Sequence, residues 1–93
     1  WVSNETPSQY STVTVYGRIH RNGVGIPKVP MHAVWHYRTT TSDCEAVSGA
    51  DGVAACERNI GRASAEYRVR IVVTFTYAGE TYVAETGFTP QLR

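Results

Sequence analysis

Apolar and polar residues alternate with a period of two over several stretches of the chain, and no window holds the spacing of a helix. Thr12 to His20 sets Val13, Val15 and Ile19 on one side. Asn22-Gly23 follows, a strong signal for a tight turn. Val24 to Pro30 carries Gly25, Pro27 and Pro30 and reads as an irregular connection. Met31 to Arg38 alternates again, with Ala33, Trp35 and Tyr37 opposite His32, Val34, His36 and Arg38. Glu66 to Tyr77 is the longest predicted strand, and Ala78-Gly79 turns it into Glu80 to Phe88.

If Tyr77 pairs with Glu80, the register of that hairpin follows. Phe75 meets Tyr82, Val73 meets Ala84 and Val69 meets Phe88, while Thr76 meets Thr81 on the other face. Two strands that agree on one apolar side are stronger support than either alone. About seven short strands between turns predict an all-β, antiparallel sandwich or small barrel in a single domain over residues 1–93. Trp1 to Asn4 reads as a first short strand, with Glu5 to Ser11 as a loop.

Composition narrows the function classes. Net charge is +1, which argues against broad electrostatic binding of nucleic acid. No apolar run approaches the roughly 20 residues of a spanning helix. The chain begins at Trp1 without a signal-peptide pattern and reads as a piece of a longer protein, with neighbouring domains as its first expected partners.

The two cysteines, Cys44 and Cys56, are symmetric about Ala50. A hairpin centred there sets Val47 opposite Val53, Ala46 opposite Ala54 and Cys44 opposite Cys56. Directly opposed residues have Cα atoms about 4.5 Å apart when non-hydrogen-bonded, which a disulfide accepts. Closing such a loop contributes roughly 3 kcal/mol in the chain-entropy account. A redox pair would show C-x-x-C, which is absent. A zinc site would need His32 or His36 beside the thiols, and no spacing supports it. The two histidines, four strand residues apart, are about 13 Å from each other, too far to share an ion. The favoured reading is a structural staple within the hairpin, with no metal and no cofactor. It implies an oxidising setting: extracellular, cell-surface or periplasmic.

Other chemistry has little local support. Ser42, Ser48 and Ser64 lack a Gly-x-Ser-x-Gly elbow. His20, His32 and His36 have no marked acid partner. Asp43, Glu45, Asp51 and Glu57 flank the hairpin without a calcium-loop pattern. Asn4-Glu5-Thr6 is a formal glycosylation sequon followed by Pro7. An enzyme is not expected.

Three stretches together resemble a known family. They are STVTVYGRIHRNGVGIPKVPMHAVWHY, GADGVAACERNIG and AEYRVRIVVTFTYAGETYVAETGFTP. In this order they resemble bacterial immunoglobulin-like domains of the invasin/intimin type, over Val2 to Phe88. Asn22-Gly23 through Pro27 and Val29 resembles the first connection. Asp51-Gly52-Val53-Ala54 resembles the characteristic turn, and Tyr67, Val69 and Ile71 the late strand. Peptidase-associated transthyretin-like modules share part of this pattern. The resemblance implies an Ig-like sandwich with a buried Trp35 on the third strand and a tyrosine corner at Tyr67. The cysteine pair is not general in these modules and marks a distinct subfamily.

In an Ig-like sandwich the third and sixth strands are sheet neighbours. Their outer residues would be His32, Val34, His36 and Arg38 beside Arg68, Arg70, Val72 and Thr74. That face would be basic and pH-responsive through its histidines. It would suit an acidic polysaccharide or protein; the plainer reading is a solubilising sheet face. The expected function is a non-catalytic spacer or accessory docking module. The alternative is a carbohydrate- or protein-binding module. An aromatic platform of Trp1, Tyr10, Tyr16 and Tyr82 would favour that alternative if the four were exposed together, although Tyr82 is predicted to point inward.

Overall fold

Val, Ile, Trp and Phe at alternate positions give each long strand one face that gains by leaving water. The computed structural model describes residues 1–92 and places these faces against one another. Eight strands follow in order: β1 (Thr12–Arg18), β2 (His20–Arg21), β3 (Val24–Gly25), β4 (Pro30–His36), β5 (Thr41–Val47), β6 (Val53–Asn59), β7 (Val69–Tyr77) and β8 (Glu80–Phe88). A four-stranded antiparallel sheet has the order β5-β4-β7-β8. It faces a smaller sheet in which β1 pairs with β6. Val2 bridges to Val15 on the other side of β1, so the first residues extend the smaller sheet by a short edge segment. The β2–β3 pair is a two-rung ribbon beside it.

The core lies between the sheets. β1 contributes Val13 and Val15, β4 Met31, Ala33 and Trp35, and β7 Val69, Ile71, Val73 and Phe75. Trp35 is fully buried and meets Phe88 edge-on, with ring centroids 5.7 Å apart. Its indole Nε1 has no hydrogen-bond partner among the described residues.

The β7–β8 hairpin has the register its sequence predicts, from Tyr77 opposite Glu80 to Val69 opposite Phe88. Ala78 and Gly79 both adopt positive φ, 53° and 78°, as a two-residue hairpin turn requires. β7 itself starts at Val69. Tyr67 lies before it, 43% exposed, and its hydroxyl has no hydrogen bond among the described residues. Tyr67 therefore does not form the tyrosine corner expected there.

Cys44 and Cys56 are joined by a disulfide, with Cα atoms 6.4 Å apart. Its setting differs from the expected one. β5 hydrogen-bonds to β4, and β6 to β1, so no ladder links β5 to β6. The chain crosses from one sheet to the other through an arch at residues 48–52, and the disulfide joins the sheets instead of two strands of one hairpin. Symmetry about Ala50 fits either geometry. The better partners decide: β4 and β1 offer long apolar faces, whereas β5 and β6 offer each other little.

The arch is anchored by Ser48, the one buried polar side chain among the described residues. Its Oγ accepts from the Val29 N–H at 2.8 Å and donates to the Ile26 carbonyl at 2.7 Å. The Ser48 backbone bonds to Lys28 and Val29 as well. Gly52 then passes so close to Gly25 that a Cβ there would lie 2.2 Å from the Ile19 carbonyl, and its φ is +80°. Replacing Ser48 with Ala leaves a buried N–H, of Val29, and a partly buried carbonyl, of Ile26, without this partner. It should lower the unfolding free energy by about 1–3 kcal/mol, read as a lower urea midpoint at an unchanged m-value.

Candidate functional site

The outer face of the four-stranded sheet carries the residues singled out from sequence. β4 and β7 are neighbours, with His32 opposite Thr74, Val34 opposite Val72 and His36 opposite Arg70. The flanking strands complete three rows across the sheet. The first is Thr41, His36, Arg70 and Gly87. The second is Asp43, Val34, Val72 and Glu85. The third is Glu45, His32, Thr74 and Val83.

The face is therefore not uniformly basic. Two flanking strands bring Asp43, Glu45 and Glu85 onto it, and reasoning from β4 and β7 alone omits them. His32 Nε2 lies 2.9 Å from Asp43 Oδ2, the one side-chain ion pair among the described residues. Positive charge collects at one end instead. His36 and Arg70 form the first row, and Arg68 stands just before β7 at the same end. The Arg68 guanidinium lies over Gly87, where a Cβ would come within 3.2 Å of it. The structure thus groups His36, Arg68 and Arg70 and separates them from His32; Arg38 lies instead in the Tyr37–Thr40 turn, beside a pocket lined by Arg58 and Arg62.

A second feature lies on the inner side of β8. The smaller sheet is too narrow to cover the larger one. β8 is exposed from Glu80 to Glu85, and Tyr82 is 47% exposed although its parity points inward. Parity names the face on which a side chain lies; it does not say that anything covers that face. The result is a groove of about 820 Å³ between β8 and β1, with Trp1, Tyr16, Phe75, Tyr77 and Tyr82 among its lining. Trp1 stacks on Tyr16 at 5.2 Å and 13°. Three of the four aromatics proposed for a platform therefore share one groove. Tyr10 is elsewhere, its hydroxyl accepting from Arg62 Nε at 2.7 Å.

Charged groups rim this groove. Arg18 and Arg21 lie on the β1–β2 side, and Glu80 and Glu85 on the β8 side. Arg18 reaches the carbonyls of Asp51 and Gly23, both at 3.4 Å. Sequence reasoning missed these residues, because only the absence of a covering strand makes them neighbours of a cleft. Among the described residues, no group of three or more His, Cys, Asp or Glu side chains could hold a metal ion. No helix is long and apolar enough to cross a membrane.

The Tyr82 hydroxyl donates to Glu80 Oε2 at 3.0 Å. That bond holds the phenol pKa above its ordinary value, because ionisation would lose the donor and set a second negative charge beside the carboxylate. Glu80→Gln removes the repelling charge. Tyr82 should then ionise at lower pH than in the parent protein, as followed by the ring resonances in a pH titration. The chain matches no protein-family model, no curated protein and no solved structure, so its function is argued from its own residues.

Proposed function

We propose that this chain is a non-catalytic, immunoglobulin-like module of a secreted, surface-attached or periplasmic protein. It acts as a spacer or accessory docking domain beside neighbouring domains of the same chain. The observation that carries the reading is the Cys44–Cys56 bond between the sheets. Structural disulfides persist in oxidising compartments, and a small β domain gains a large fraction of its net stability from one. The two-sheet architecture and the side-chain-filled interior between β1, β4 and β7 support a scaffold. The resemblance to invasin/intimin-type modules supports the same assignment.

Intact-mass analysis after thiol alkylation tests it. Protein isolated from its native source should take up no label before reduction and two labels after it. Two labels before reduction would remove the argument for an oxidising compartment.

A second reading rests on the clustered positive end of the outer face. His36, Arg68 and Arg70 have no carboxylate within salt-bridge distance among the described residues. Such a cluster suits an anionic polysaccharide or an acidic protein surface, with binding that weakens as salt rises. Arg68→Glu combined with Arg70→Glu changes two exposed residues. Stability should shift by no more than about 0.5 kcal/mol per site. Retention on a sulfated-polysaccharide column at low salt should fall to that of an unrelated neutral protein. Unchanged retention would clear this face of the role.

A further inference from the structure

The two flanks of the sandwich are built differently. At one flank the edges β5 and β6 are joined covalently by Cys44–Cys56. At the other, β8 ends the large sheet with no strand beyond it, and the groove opens between it and β1. In the two-residue hairpin, Tyr77 and Glu80 form a hydrogen-bonded pair. Such pairs alternate along the ladder. Tyr82, Ala84 and Thr86 therefore direct their N–H and C=O groups to β7, while Thr81, Val83 and Glu85 direct theirs to the open edge.

That edge carries two carboxylates, Glu80 and Glu85, and is otherwise unguarded. It is nine residues long and holds neither Lys nor Pro. Val83 is 65% exposed on it. Beside it lies a groove whose floor is the apolar inner face of the sheet, including Phe75 and Ala84. An unpaired backbone edge next to an apolar trough has one efficient occupant: an extended chain that pairs with the edge and points alternate side chains into the trough. A sugar would use the aromatic rings, yet leave the backbone edge unpaired.

Charge defines the occupant further. Arg18 and Arg21 stand at the rim with no carboxylate within ion-pair distance among the described residues. On the facing wall Glu80 accepts from the Tyr82 hydroxyl and keeps its charge, and Glu85 stands farther along β8. A carboxylate on the incoming segment, where it lies along the β1–β2 wall, meets two arginines that have no ion-pair partner among the described residues. We propose that the open flank accepts an extended peptide segment as an added strand on β8, with alternating apolar side chains in the groove and an acidic residue facing Arg18 and Arg21. This goes beyond the spacer reading and holds whatever compartment the protein occupies.

The probe is a synthetic nine-residue peptide, matched to the length of β8. It alternates valine and threonine and carries one glutamate. Binding is read by amide chemical shifts and by hydrogen exchange on the whole chain. The expected result is protection of the Thr81, Val83 and Glu85 amides, together with shifts at Trp1 and Tyr82. Lysine in place of the glutamate should weaken binding by about five- to tenfold, as expected for loss of one ion pair and gain of a like-charge contact. A shuffled peptide that breaks the alternation should not protect β8.

Val83→Pro provides the edge control. It removes an N–H that faces outward, so the β7–β8 ladder is kept, and Pro is tolerated on edge strands. This variant should keep its fold by circular dichroism and lose peptide binding. Arg18→Glu with Arg21→Glu should lose the preference for glutamate over lysine. Equal binding of the shuffled peptide, or binding without protection of the edge amides, overturns the proposal. So does self-association that Val83→Pro abolishes, which would make the edge a contact between copies. An acidic oligosaccharide that shifts Trp1 and Tyr82 where the peptide does not would assign the groove to sugar instead.

Discussion

The flank where β5 and β6 meet is closed by a covalent bond because no hydrogen-bond ladder closes it. Consecutive strands usually satisfy each other's backbone, but here each finds its ladder partner in a different sheet. The Cys44–Cys56 bond and the Ser48 anchor stand where a hairpin would otherwise have provided rungs. Side chains such as Trp35, Met31 and Phe88 pack between the sheets, Arg58 bonds to the Asp43 carbonyl, and the residues after β8 bond to the segment that precedes β1. That core is small, since a chain of 93 residues buries a modest fraction of its surface. Everything else in the molecule assumes that the arch keeps the sheets in face.

What was legible in the sequence divides along a physical line. The β7–β8 register was fully legible, because a two-residue turn and two agreeing faces overdetermine it. The cysteine pairing was legible too, but not its geometry. A palindromic spacing brings Cys44 and Cys56 together by hairpin or by arch, and the choice depends on distant strands. Tyr82 failed for a related reason. Alternation assigned its face correctly, yet burial depends on whether another element lies over that face, and the smaller sheet stops short of it. Tyr67 precedes the point where β7 begins, so the sequence pattern drew that strand slightly too long.

The outer face teaches the same lesson in charge. A pair of neighbouring strands suggested a basic surface. The full sheet shows a graded one, with His36 and Arg70 in one row and Glu45 and His32 at the far end. Electrostatic character belongs to rows across a sheet, and a row draws residues from segments far apart in the chain. Salt-dependent contacts with an anion would therefore concentrate at the Arg68–Arg70 end, where His32 and its Asp43 partner contribute nothing.

The unequal flanks also set the mechanics of the sandwich. A bond on one side and a cleft on the other make the pair of sheets a hinged plate with its pin at Cys44–Cys56. Any splaying of the sheets displaces atoms least beside the pin and most at β8 and the Trp1 segment. The free coordinate is the width of the cleft along Glu80 to Glu85, because at the Phe88 end Thr89 bonds to the Glu5 carbonyl and Gln91 to the Pro7 carbonyl. A load applied through strands near the pin would leave that width almost unchanged, whereas one applied through β8 would open it.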